Sequence, residues 1–194
     1  TLSIVHGTPT PYTISQEIYM EWTAGEGVTL PAGIWSIVLY PREIREGVCN
    51  LWMSGIEASG RQTGFLMPVT NTTLTIPATA DRIVSVGAYQ ADTMAVAPFS
   101  GRGFTASGQV APKLVAPGVD ILTAAPGGGY ARRTGTSIAA PFVTGAAALL
   151  MEWGIVRGND VELYGEKGKA YLMRGAKPLP GITDYPDVAA GYGR

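Results

Sequence analysis

Residues 135–150, GTSIAAPFVTGAAALL, constrain the fold more than any other part of the chain. Ile138, Phe142, Gly145, Leu149 and Trp153 recur at steps of three or four, the spacing of one helix face. The spacing predicts a helix from Ser137 to Trp153, with Gly154 as its stop. Ala139, Ala140, Gly145 and Ala146 to Ala148 fill little space themselves, so neighbouring backbone must come close. Such a helix is expected to be buried on most sides, with its N-terminus reaching a surface cleft. Pro141 has no N–H and cannot complete the helical bond to the Ser137 carbonyl, which sets the first turn apart. A helix N-terminus leaves N–H groups unpaired and carries partial positive charge. A serine there has its hydroxyl beside donors that can hold a developing oxyanion. The plainer reading is a cap, in which Thr136 or Ser137 only satisfies those N–H groups.

The rest of the chain frames this helix. Its 194 residues suit one domain or a large piece of one, and 46% apolar against 15% charged residues is a globular balance. The formal net charge of −1, with no basic cluster, argues against nucleic acid or an anionic membrane as partner. No run of 18 uninterrupted apolar residues exists, so no membrane-spanning helix is expected. The single cysteine, Cys49, allows no internal disulfide and reads as a small apolar strand residue.

Residues 1–70 read as a β-rich module. EIYMEWTAG, GIWSIVLYP and GVCNLWMSG are short β-branched and aromatic runs bounded by Gly and Pro. They hold three of the four tryptophans, expected in the core of a small sandwich-like unit. After Pro77, RIVSVGAY predicts a nearly continuous apolar strand and KLVAPGVDILTAAP a second. A further helix is expected from about Asp160 to Arg174, with Asn159 as N-cap and Val161, Tyr164, Tyr171 and Leu172 facing inward. Strands followed by helices predict an α/β layer. Asp120, Asp160, Asp184 and Asp187 read as loop or cap acids. Arg132 and Arg133 flank the Ser137 loop, where either could tune peptide access.

The glycine that marks an α/β-hydrolase nucleophile elbow is absent, because Ala139 stands two places after the serine. Gly135, Thr136, Ser137, Ala139, Pro141, Val143 and Gly145 instead resemble the nucleophile motif of the subtilisin-like serine peptidases, the subtilases. IPATADRIVSVGAY, APFSGRG and KLVAPGVDILTAAPGGGY resemble that family in its order and spacing. FLMPVTNTTLTIPATA and LLMEWGIVRGNDVELYGEKGKAYLMRGAKPLPG look most like its clostridial branch, which includes germination proteases of spores.

The resemblance implies an α/β fold, the second half of a subtilisin-like domain with a partly parallel sheet plus helices. Residues 71–194 would form that half, and residues 1–70 an N-terminal antiparallel β-rich insertion. It implies a serine endopeptidase in which Ser137 attacks the peptide carbonyl, with Gly135 and Thr136 in the substrate-binding loop. No cofactor and no metal are implied. A bacterial source follows, with secreted, cell-surface and spore-associated locations all open. Ile138 stands where the family has methionine, Gly101 where serine is frequent, and Phe142 where histidine is frequent.

The family's other catalytic groups, an aspartate, a histidine and an oxyanion asparagine, are not matched. His6 is the sole histidine and sits in His-Gly-Thr, but Pro9 and Pro11 forbid the helix that follows in the family. His6 is therefore expected to be a surface or strand-end residue, and Asn71 and Asn50 turn residues. GYGR resembles the opening of the family's last helical segment. The expected partners are a peptide or protein substrate and the missing N-terminal half of the same domain, and the chain alone is expected to be inactive. The alternatives are a pseudoprotease, or a protein-interaction module of a spore-germination-like complex.

Overall fold

The computed structural model describes residues 1–8, 16–40, 42–44, 47–54 and 63–194. The chain divides into two compact units, Thr1–Met53 and Ser54–Arg194.

In the first unit, β1 (Leu2–His6) and β2 (Ile18–Trp22) pair antiparallel, with Leu2 opposite Trp22 and His6 opposite Ile18. His6 is exposed at the strand end, as expected. The expected strands in GIWSIVLYP and GVCNLWMSG do not form among the described residues, while Pro41 and Gly55 of those runs, and Pro9 and Pro11, lie outside them. Nor is there a tryptophan core. Trp22 and Trp35 meet edge to face at 6.2 Å, but Trp35 and Trp52 remain mostly exposed. Cys49 is exposed and outside any strand. The physical reason is local: a strand needs a ladder partner and a covered face, and two short strands supply neither for the following runs.

The second unit is α/β, as the sequence predicts. Its central sheet has the order β4–β3–β5: β3 (Val86–Gln90) pairs antiparallel with β4 (Ala95–Val96) and parallel with β5 (Leu114–Pro117). The single strand expected in KLVAPGVDILTAAP is two, because Gly118 and a left-handed Asp120 (φ 54°) turn the chain between β5 and β6 (Ile121–Ala124). The β6 strand pairs antiparallel with β7 (Tyr130–Arg133), in register Ile121↔Arg133. Alternation along β3 and β5 sends Ala88 and Ala116 to one face, where they pack with Ala97 and with Ala139 of helix α1 (Thr136–Met151). Tyr89 and Val115 turn to the other face, covered by Leu179 and Ala190. The carboxyl-terminal residues are part of this layer: the Val115 N–H donates to the Gly193 carbonyl at 2.9 Å, and Lys177 and Arg194 exchange backbone bonds.

The central helix differs from expectation in two ways. It is not buried on most sides. Only Ala139 is fully covered, and Phe142, Leu149 and Trp153 are exposed, because a three-stranded sheet covers one stripe of a helix. Nor does Gly154 stop it. Helical structure continues through a π-helical turn, Glu152–Val156, and Gly154 lies buried in that turn, where an added Cβ would stand 2.8 Å from Leu163 Cδ2. Left-handed Gly158 (φ 74°) follows the turn. The combined segment Thr136–Val156 is long and apolar enough to cross a membrane by length and composition, although no apolar run announces it. Its Ala139–Val143 stripe packs on β3 and β5 as a core helix does.

Helix α2 spans Gly165–Gly175 and begins five residues later than expected. Asn159 does not cap it. Its side-chain amide donates to the Trp153 carbonyl at 2.8 Å and closes the preceding turn. Val161 and Tyr164 are exposed, and Leu163, absent from the expected core, is 5% exposed. Asp160 is the anchor here. Its carboxylate accepts from Lys167 Nζ at 2.5 Å and from Tyr171 Oη at 3.0 Å. The Lys167 bond, with that of Tyr171 and against some desolvation, holds the Asp160 carboxyl below the usual carboxylate range. A depressed carboxyl contributes stability that is present above its ordinary value near 4 and is lost as pH falls through the lower native value. Asp160→Asn is therefore expected to flatten the acid limb of a melting-midpoint profile below about pH 4. Parallel acid limbs in the two proteins would refute this.

Candidate active site

Ser137 is the second residue of α1 and is exposed at its N-terminus. The cap residue is Gly135, at φ 154° and ψ 160°, a conformation essentially reserved for glycine. No side chain among the described residues caps the helix. The capping alternative thus does not describe Thr136 or Ser137. The Ile138 and Ala139 N–H groups reach the Gly135 carbonyl at 3.0 and 3.3 Å. The Thr136 and Ser137 N–H groups donate to no acceptor among the described residues, and Ser137 Oγ has no hydrogen-bond partner there. A hydroxyl free of its own helix therefore stands beside free donors at the positive end of a sixteen-residue helix.

The loop before the helix is fixed by a second segment, residues 118–120. The Gly135 N–H donates to the Gly118 carbonyl at 2.8 Å, and the Gly118 N–H to the Tyr89 carbonyl at 3.0 Å, at the end of β3. The Asp120 N–H donates to Thr134 Oγ1 at 2.9 Å. Arg132 Nη1 donates to the Asp120 carbonyl at 2.8 Å and to Asp120 Oδ2 at 3.0 Å. Arg133 Nη1 donates to the Arg132 carbonyl at 3.1 Å. Asp120 is more than the loop acid the sequence suggests. The signal is present in Pro-Gly-Val-Asp ahead of a hairpin, but pairing Asp120 with Arg132 requires the β6–β7 register.

Gly135 and Thr136, which immediately precede Ser137, are both half-buried. Asn71 is exposed in a bend, next to left-handed Thr72. Asp187 is a cap, its Oδ1 accepting the Ala189 and Ala190 N–H groups at 2.8 Å each. A groove of about 540 Å³ runs along α1 past Phe142, Leu149 and Leu172, and Ser137 does not line it.

The profile of the Subtilase family matches residues 56–193, well over half of the chain. The solved Clostridium perfringens CspB protease superposes with a TM-score of 0.64 at 46% identity, over 68% of this chain and 28% of that one. An intracellular serine protease of Paenibacillus polymyxa is 43% identical over 106 residues, 53% of this chain and 30% of the relative. The subtilisin-like serine protease Pen ch 13 of Penicillium rubens is 36% identical over 113 residues, 58% of this chain and 26% of the relative. The chain thus spans less than a third of the length of each of these relatives. The Gly-Thr-Ser loop, the helix it opens and the layer beneath it fall within the matched region, and the chain belongs to the subtilase family.

Proposed function

We propose that Ser137 is the nucleophile of a serine endopeptidase and that the full-length protein hydrolyses peptide bonds in peptide or protein substrates. The observation that carries this reading is the exposed Ser137 hydroxyl, without a hydrogen-bond partner among the described residues, beside N–H groups likewise unpaired there at the α1 N-terminus. In this reading Oγ attacks the scissile carbonyl, and the Ser137 N–H holds the oxyanion that forms. Gly135 and Thr136 bind substrate backbone. The imidazole base, its aspartate and a side-chain oxyanion donor come from parts of the full-length protein outside residues 1–194. A serine without a base is a poor nucleophile, so the chain alone is inactive. Residues 1–70 act as an N-terminal insertion, whose regular structure among the described residues is the antiparallel β1–β2 pair.

A fluorophosphonate probe tests the reading. Full-length protein is expected to be labelled on Ser137, and Ser137→Ala to be unlabelled. A folded full-length protein that takes up no label would sink the peptidase reading and favour a pseudoprotease.

A further inference from the structure

Resting on the nucleophile reading, we propose that Arg132 is a positioning residue for Ser137, acting through Asp120. Ser137 rides on α1, but its path into the helix is set by residues 132–136. Those residues are tied to residues 118–120 by the Gly135–Gly118, Thr134–Asp120 and Arg132–Asp120 bonds. The strip is in turn tied to β3 through Gly118 and Tyr89. A continuous path therefore runs from the sheet to the nucleophile, and Arg132 closes its outermost link.

The link is specific in form. One guanidinium nitrogen clasps both the carbonyl and the carboxylate of the same residue. That residue holds a left-handed backbone, φ 54°, which a non-glycine residue keeps only when its surroundings require it. With the clasp gone, Asp120 is free to relax toward ordinary φ, and Thr134 loses the N–H that its hydroxyl accepts. Next after Thr134 lies Gly135, whose unusual conformation aims the helix start.

The Arg132 and Asp120 side chains are 63% and 67% exposed, and exposed ion pairs add little to global stability. The clasp thus separates two effects that usually move together. Its loss barely changes unfolding, while a shift of about 1 Å at a reacting atom costs up to about 100-fold in rate.

The test uses full-length protein and the acylation kinetics of a fluorophosphonate, with its maximal rate constant and half-saturating concentration measured separately. Arg132→Ala is expected to lower the maximal rate constant about tenfold and Asp120→Asn, which keeps the main-chain carbonyl and an uncharged side-chain acceptor, by less, each with half-saturation and melting midpoint unmoved. The double variant is expected to be no worse than Arg132→Ala, since both changes act on one link. Arg132→Lys, which keeps a donor cation, regains part of the rate. Unchanged acylation in Arg132→Ala, additive losses, or a loss confined to half-saturation would overturn the proposal. If the wild-type protein takes no label, the nucleophile reading fails. Amide exchange over residues 132–138 then decides the clasp alone: faster exchange in Arg132→Ala upholds it and equal exchange removes it.

Discussion

Ser137→Ala is expected to lower peptide hydrolysis by the full-length protein about 10⁶-fold, the scale that loss of the nucleophile has in subtilisin, itself a subtilase. What the structure adds is the expected absence of a folding penalty. Serine near a helix start is usually a cap, and removing a cap typically costs about 1 kcal/mol. Here Gly135 holds the cap position and no side chain bonds the free N–H groups, so truncating Oγ breaks no hydrogen bond among the described residues. The side chain is exposed, so no cavity opens. Alanine is the better helix former by a few tenths of a kcal/mol, so the unfolding midpoint should hold or rise slightly. Hydrolysis of a peptide substrate and chemical denaturation of the same preparations check both halves. An alanine variant that still cleaves would remove the nucleophile, and one that unfolds easily would show that Ser137 serves the fold.

The helix, its serine and parts of the strands β3 and β5 are legible in the sequence, because periodicity reports local conformation directly; the small-residue run overstates burial, since only one stripe of the helix is covered. The nucleophile motif is legible as a pattern of residues at fixed offsets. What is not legible depends on pairing between distant segments. Asp120 is one acid among several until the hairpin register places Arg132 over it. Leu163 lies outside the expected inward-facing set because that face assumes a helix starting at Asp160, whereas the chain first makes a turn on Asp160. Gly154 reads as a terminator because glycine commonly ends helices; its actual use, admitting Leu163, needs a contact 9 residues away. In the first unit the aromatic runs suggest strands, but strand propensity is a preference for a half-buried surface, and the described residues there supply little to bury against.

Gly118→Ala is expected to destabilise the second unit by about 3 kcal/mol and to slow acylation at Ser137, two losses from one methyl group. The position has no positive φ, so backbone strain is not the cause; space is. An added Cβ would stand 2.6 Å from Ala88 Cβ on β3, 2.9 Å from the Gly135 carbonyl oxygen and 3.2 Å from Ala139 Cβ on α1. All three are short or rigid groups that cannot rotate away. Relief requires the sheet and helix to part or the Gly135 loop to lift, and overpacking of that kind costs about 1–3 kcal/mol, with buried backbone contacts at the upper end. Because the Gly118 carbonyl also accepts the Gly135 N–H, a lifted loop moves the residue that starts the helix. The cause can be isolated by making room from the other side. Ala88→Gly removes the tightest contact, so the Gly118→Ala/Ala88→Gly pair is expected to recover part of the lost stability relative to the sum of the single changes. Urea denaturation and acylation kinetics on the single and double variants provide the measurement. A Gly118→Ala protein with an unchanged urea midpoint would mean that sheet, loop and helix do not meet at this point.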